Sequence, residues 1–530
     1  MIKSTSFRSG VFIVLFLALL LAFANYLYLL KSDDIFTGDQ VAHITNSVRC
    51  YRSGFDIFNK RQGFALYLIS SLLYHLFPLN YYTAILSNIF FSLLLFGSVY
   101  AMVLKIKQKK SAAMFAAFLI AVYPISFGLS RFYLLEYSLM SWVALFYMLL
   151  LYCNNFKNRF YTVLAALVLG LGPITKESFF IYVIPVIIYK FCLVIKDRSV
   201  NIERIRLNLL FFLSFSFLAS FWFFSSPKGI INEGLCRLLR EGGNNPDISW
   251  FSLRNITFYL YPLVDFNLSP FYAFLFVSAL VVFFKNRFKF KRELVIWFIM
   301  PFIIFSLFPW KLARYIAAVT PAAAVITSLG ISTFGKYLRR SLYLFSVIFG
   351  LVQFLTLSYG LYPFKANCFI RTEFLSKLFS LTPNRYCEDF EIATPNKSYS
   401  GSLEILDAFD EFRINMAGGA EPEEIKVCRV LNVKSKSGYS VEHSISSMLP
   451  YFNEVKGHYS IDYCYLDESR VLNYFEGSRV EDLDKFDIFL FYQPELSLYI
   501  EGNLRLYKEL SYKTGNIDRS ISIFYDADKY

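Results

Sequence analysis

Apolar runs close to the length of a bilayer core recur along the chain from residue 11 to residue 361, separated by short polar connections, and then stop. The pattern predicts about eleven spanning helices, at 11–31, 81–104, 112–129, 133–152, 160–174, 178–195, 207–224, 270–284, 294–309, 315–334 and 341–361. The run from Gly63 to Phe77 is too short to span, ends at Pro78 and reads as a helix lying at the interface. Beyond residue 364 the pattern changes to that of a soluble domain. Strands are expected at 425–433, 458–465, 486–492 and 520–525, and helices near 402–413, 441–455 and 496–511. The expected fold is therefore a polytopic α-helical membrane module, residues 1–364, followed by an extracytoplasmic α/β domain, residues 365–530.

Charge orients the module. Of the 530 residues, 56% are hydrophobic and only 18% charged, below the roughly 25% of soluble domains. A net charge of +13 would point to nucleic acid in a soluble protein. Here the basic residues sit in every second connection, as in Lys105 to Lys110, Lys157 and Arg159, Lys285 to Arg292, and Lys336 to Arg340. That alternation is an orientation signal, so nucleic acid is not expected as a partner. It places the N-terminus in the cytoplasm and the C-terminal domain outside, as in a multi-pass inner-membrane protein with a periplasmic domain. Val11 to Leu30 lacks a small-residue cleavage site before Asp33 and Asp34 and reads as an uncleaved first helix.

The polar groups that are expensive in a membrane fall on the outer side of this map. After the first run, Gly38 and Asp39 open an amphipathic stretch in which Val41, Ile44, Val48 and Tyr51 form one stripe and Asp39, His43 and Ser47 another. Asp39 reads equally as a helix cap, and His43 as a solvated headgroup contact. Arg131 stands at an outer edge and Glu136 opens the next apolar run, where a carboxylate needs a partner or water. A charge pair between neighbouring helices is the plain alternative. Lys176 and Glu177 occupy a tight hairpin, where they would either neutralise each other or act separately. Lys311 and Arg314, three residues apart, share a face if helical, and suit phosphate or headgroup contact.

In order and spacing these segments resemble the GT-C superfamily of membrane glycosyltransferases, in particular family 39 and its relatives, the protein O-mannosyltransferases and lipid A aminoarabinose transferases. Gly38-Asp39-Gln40 resembles the family's Gly-Asp-Glu segment, and Arg131 to Glu136 its Arg-x-x-Leu-Leu-Asp/Glu signature. Thr175-Lys176-Glu177 resembles its Thr/Ser-Lys-Glu turn, and Lys311 to Pro321 its late Lys-x-x-Arg-Tyr helix. Two departures stand out. Gln40 replaces a second acid, which argues against a carboxylate-held metal there, and Lys60-Arg61-Gln62-Gly63 replaces the usual paired prolines.

The resemblance implies transfer of a sugar from a polyprenyl-phosphate donor to an acceptor hydroxyl on a glycolipid, lipopolysaccharide, polysaccharide or protein. Asp39 would be the general base, and Arg131, Lys176, Lys311 and Arg314 would bind the donor phosphate. His43, Glu136, Glu177 and Arg61 would support the site or bind acceptor. One base with backside attack implies inversion. No cofactor is implied and a divalent cation is left open; His43, His75, His443 and His458 lack metal-ligand spacing. A transporter or flippase, or a polymerase or ligase for lipid-linked glycans, is the alternative, although no internal repeat of the transporter kind is visible.

In residues 225–270, Ile230, Leu235, Leu238 and Leu239 suggest a short amphipathic helix. The outer-side cysteines are Cys50, Cys236, Cys368, Cys387, Cys428 and Cys464, with Cys368–Cys387 and Cys428–Cys464 as the local pairings to test.

Overall fold

A computed structural model describes residues 4–31, 38–53, 63–196, 202–224, 253–308 and 311–359, and five strands between 427 and 526. These residues belong to two compact units. The first comprises Met1–Tyr28, Gly54–Pro78 and Tyr82–Pro395; the second comprises Leu29–Ser53, Leu79–Tyr81 and Asn396–Tyr530.

The first unit is helical. In chain order its helices are α1 (Ser4–Lys31), α3 (Phe64–Tyr74), α4 (Tyr81–Lys107), α5 (Lys110–Val122), α6 (Pro124–Ser130), α7 (Leu135–Cys153), α8 (Arg159–Thr175), α9 (Phe179–Lys196) and α10 (Ile202–Phe224), then α11 (Pro270–Lys285), α12 (Lys291–Leu307), α13 (Thr320–Ile331) and α14 (Lys336–Tyr359). Helix α2 (Gly38–Arg52) belongs to the second unit. Every apolar run expected to span is helical. Five stretches among the described residues are long and apolar enough to cross a membrane: Gly10–Leu29, α4, α7, Ala313–Ile331 and α14. The bent pair α5–α6 makes a sixth. The bend of 65° falls at Tyr123, held extended because Pro124 follows it and excludes the helical conformation. Helices α8, α9 and α11 are apolar but shorter.

The core is aromatic and small-residue rich. Ala112, Ala116, Ala322 and Ala323 are fully buried, which lets α5 and α13 approach closely. At Gly330 an added Cβ would lie 2.4 Å from the Ala279 carbonyl of α11, so this α11–α13 crossing requires glycine. Buried hydroxyls close their hydrogen bonds across helices: Ser328 Oγ donates to Ala112 O at 2.6 Å and Tyr272 Oη to Ser346 O at 2.7 Å.

In the second unit, α2 carries Ile44 and Val48 fully buried, as the apolar stripe predicts. Ser47, expected on the polar stripe, is buried as well and returns its hydroxyl to Ile44 O at 2.7 Å. Strands β1 (Val427–Lys434), β2 (Ser460–Asp467), β3 (Ile488–Phe491), β4 (Leu504–Thr514) and β5 (Ile517–Asp526) form one sheet in the order β2-β1-β3-β5-β4. The first three pair in parallel, whereas β5 runs antiparallel to β3 and β4.

The helix expected at 496–511 is corrected. Residues from Leu504 form β4, whose alternation of Leu504, Leu506 and Leu510 with charged residues also fits a hairpin with β5. The helices expected at 402–413 and 441–455, and the amphipathic segment at Ile230 to Leu239, lie outside the described residues. The β1–β2 register pairs Cys428 with Ile461 and Leu431 with Cys464. Three residues of offset separate the two cysteines by about 10 Å along the strands, too far for a disulfide. The Cys428–Cys464 pairing is therefore excluded by the sheet register, and Cys368 and Cys387 lie outside the described residues.

Candidate functional site

Glu136 brings two other sequence-selected charges, Lys176 and Arg314, together around it. It stands in the first turn of α7, whose start is set by Leu134, extended at φ −120° and ψ 150°. Its carboxylate Oε1 accepts a hydrogen bond from Lys176 Nζ at 2.7 Å and lies 3.1 Å from Arg314 Nε. Lys176 sits where α8 ends: its backbone is extended, at φ −158°, and the hairpin it opens leads directly into α9. Arg314 lies on a 3₁₀ helix, Ala313–Val319, that precedes α13. Thus one acid and two bases arrive from three separate segments.

The surroundings hold these groups in place. The Tyr315 ring lies 5.4 Å below Lys176 Nζ, a cation–π contact. Tyr182 of α9 donates its hydroxyl to Tyr315 O and accepts, at its own carbonyl, the hydroxyl of Tyr147 at 2.9 Å. Tyr147 stacks on Trp297 of α12 at 4.2 Å, and the Trp297 indole donates to Ala318 O at 2.8 Å. The 3₁₀ helix is therefore fixed from α9 and from α12, and Arg314 with it. On the hairpin side, Gly63 N donates to Thr175 O at 3.0 Å. Gly63 has φ +84°, and an added Cβ there would meet the Tyr67 ring at 2.4 Å, so the position requires glycine.

The expectations fare differently residue by residue. Lys176 turns across the helices to Glu136 rather than to its sequence neighbour Glu177. Lys311 and Arg314 do not share a helix face: Leu312 between them is extended, at φ −135° and ψ 135°. Lys311 instead reaches the Phe305 carbonyl at the end of α12 and lies 4.8 Å over the Tyr259 ring. Arg131 has a separate environment. It is fully buried, with Nε donating to Asn25 Oδ1 of α1 at 3.2 Å, an amino group donating to Ser358 of α14, and the guanidinium 4.1 Å from the Tyr28 ring. It joins α1, α6 and α14. His43 is half-buried on α2 in the other unit. Asp39 follows Gly38, the first residue of α2, but its side chain lies outside the described residues, as does Arg61. No group of three His, Cys, Asp or Glu side chains suited to a metal occurs among the described residues.

Sequence reasoning missed Tyr147, Tyr182 and Trp297. The available signal was a polar aromatic inside an apolar run, whose hydroxyl or indole N–H must find a partner when buried.

Burial pushes the Lys311 ammonium down to about 7 from the ordinary lysine value of 10.5. An unfolded chain keeps the ordinary value, so between about pH 7 and 10.5 it holds a proton that the folded chain has lost. Stability of the unliganded protein is expected to rise with pH through that window, and to be independent of this group below about pH 7, where both states are protonated. Lys311→Met is expected to flatten the rise, as measured by unfolding midpoints in detergent; an unchanged slope would assign it to other groups.

Comparison with known proteins bears on the family and the fold. A family model described as dolichyl-phosphate-mannose-protein mannosyltransferase matches residues 63–227, which include Arg131, Glu136 and Lys176. No curated protein sequence matches the chain. Among solved structures, ArnT from Cupriavidus metallidurans in the apo state is similar at 15% identity and a TM-score of 0.60, covering 98% of each chain. The same protein bound to undecaprenyl phosphate is similar at 14% identity and a TM-score of 0.59, covering 96% of this chain and 97% of that one. The resemblance to the GT-C membrane glycosyltransferases is thereby borne out by the family model and by the fold.

Proposed function

We propose that the chain is a membrane glycosyltransferase that moves a sugar from a polyprenyl-phosphate donor to an acceptor hydroxyl on the outer face of the membrane, with inversion. The observation that carries this reading is the convergence of Lys176 and Arg314 on Glu136, with buried Lys311 nearby in sequence. The family model and the undecaprenyl phosphate bound to ArnT supply the class of donor.

The electrostatics suit such a reaction. A polyprenyl phosphosugar is a diester with one negative charge, whereas the departing polyprenyl phosphate carries about 1.5 to 2 at neutral pH. Negative charge therefore grows on the phosphate as the glycosidic bond breaks. A site with net positive charge binds the transition state more tightly than the bound donor, and no acid is needed to protonate the leaving group. Lys176 and Arg314 would turn from Glu136 toward the phosphate, and Glu136 would keep them oriented when the site is empty. Lys311, neutral above about pH 7 in the unliganded chain, would take up a proton as the anion arrives.

Asp39 is assigned as the base that takes the acceptor proton as the hydroxyl attacks the anomeric carbon from the face opposite the phosphate. Arg131 is assigned to the donor as well, with His43, Glu177 and Arg61 in supporting or acceptor contacts. The acceptor is a hydroxyl of a glycolipid, lipopolysaccharide, polysaccharide or protein.

The reading is tested by incubating the purified protein with a polyprenyl-phosphate sugar and candidate acceptors. Free polyprenyl phosphate is expected only when an acceptor is present. Movement of the intact lipid-linked sugar across vesicles, with no bond cleaved, would replace the transferase with a flippase.

A further inference from the structure

The first unit has a large cavity at the end of its helices remote from Glu136. Its volume is about 880 Å³. Glu136 opens α7, and the cavity is lined around and beyond its other end by Leu150, Tyr152, Asn154, Asn155, Lys157 and Arg159. Nineteen helical residues place these ends about 28 Å apart. Helix α12 repeats the relation: Glu293 in its first turn lines the cavity, whereas Lys311 follows its last.

Five cations and one acid line the cavity: Lys105, Lys157, Arg159, Lys190, Lys289 and Glu293. The acid is already used. Glu293 forms a buried ion pair with Lys190, whose ammonium also donates to Asn155 Oδ1 at 2.9 Å. The other four cations form no ion pair with a carboxylate among the described residues; Lys105 and Arg159 lie over the Tyr152 and Phe211 rings, at 5.0 and 3.9 Å. Basic connections on this side are expected of any membrane protein as orientation signals. Such signals do not need to converge on a cavity with a buried ion pair in its wall.

The backbone adds a second observation. Six non-glycine residues among those described have positive φ, and four of them, Gln108, Asn154, Asn155 and Phe290, line this cavity. Unfavourable backbone is concentrated where the connections turn inward around it. Phe160, on the lining, is 67% exposed, which gives a lipid chain an apolar surface beside the cations.

We propose that this cavity binds a phosphate group, and that the apolar rim selects the headgroup of an anionic lipid as its source. The site is independent of the sugar-transfer reading, since it uses none of the same residues.

The test is binding of dioleoylphosphatidylglycerol to the purified full chain in neutral detergent, read as lipid retained in native mass spectrometry, with phosphatidylcholine as the reference. Retention of the anionic lipid is expected to weaken about tenfold in Lys157→Gln/Lys289→Gln. The control Lys336→Gln/Arg340→Gln, which removes equal charge from exposed positions outside the cavity, is expected to bind as the parent does. Lipid that resists displacement by inorganic phosphate supports a headgroup; inorganic phosphate that binds alone and competes supports the same cavity as a soluble-phosphate site. Equal retention of both lipids, or equal weakening in the control, would overturn the proposal and leave the cations as orientation signals.

Discussion

Glu136→Gln is expected to lower the stability of the unliganded protein by about 3 kcal/mol, and at the same time to tighten its binding of polyprenyl phosphate. The first effect follows from leaving two cations facing each other across the place where their shared acid stood. Lys176 and Arg314 keep 17% and 16% of their side-chain surface exposed, so water relieves part of the penalty and the lower end of the range for buried pairs applies. The second effect follows from competition. In the parent chain an arriving phosphate must draw Lys176 and Arg314 from Glu136, and in the variant it need not. Polyprenyl phosphate should therefore raise the unfolding midpoint of the variant by more than that of the parent. Equal increments in both would mean that the phosphate does not contact these two cations.

Asp39→Asn is expected to reduce sugar transfer by about 10²- to 10⁴-fold, while donor binding and membrane insertion stay at parental levels. Asparagine preserves the size of the side chain and cannot accept the acceptor proton. Because Gly38 is the first residue of α2, Asp39 stands in the first helical turn, where a carboxylate also favours the helix dipole by less than about 1 kcal/mol. The two roles separate cleanly: loss of the dipole contribution alone would leave turnover nearly intact. Single-turnover transfer with saturating donor, compared with donor binding on the same preparation, measures the difference. Near-parental turnover would return Asp39 to the helix start.

The helices of the first unit were legible because an apolar run long enough to cross a bilayer has few other ways to fold. Helices are found at each of the runs between 11 and 361, and the short Gly63–Phe77 run is the helix α3. The strands near 427, 460, 488 and 517 were legible from alternating and continuous apolar patches, but β4 was not. Its leucines fit a helical stripe as well as a strand, and pairing with β5 decided between them.

At the candidate site, the sequence by itself selected Glu136, Lys176, Lys311 and Arg314, because charges at the edges of apolar runs are costly and therefore conspicuous. It did not determine their partners. Glu136 and Lys176 are 40 residues apart, and their pairing depends on how α7, α8 and the 3₁₀ helix meet. That meeting is fixed by Tyr182 and Trp297, whose polar atoms look like core until their acceptors are known. The shared face expected of Lys311 and Arg314 failed because Leu312 between them is extended, so the 3₁₀ helix starts only at Ala313. Hydrophobic length and charge cost are properties of each segment alone, so the sequence determined where the helices and the expensive charges lie. Which charges neutralise each other is a property of pairs brought together by packing, and only the tertiary structure decided it.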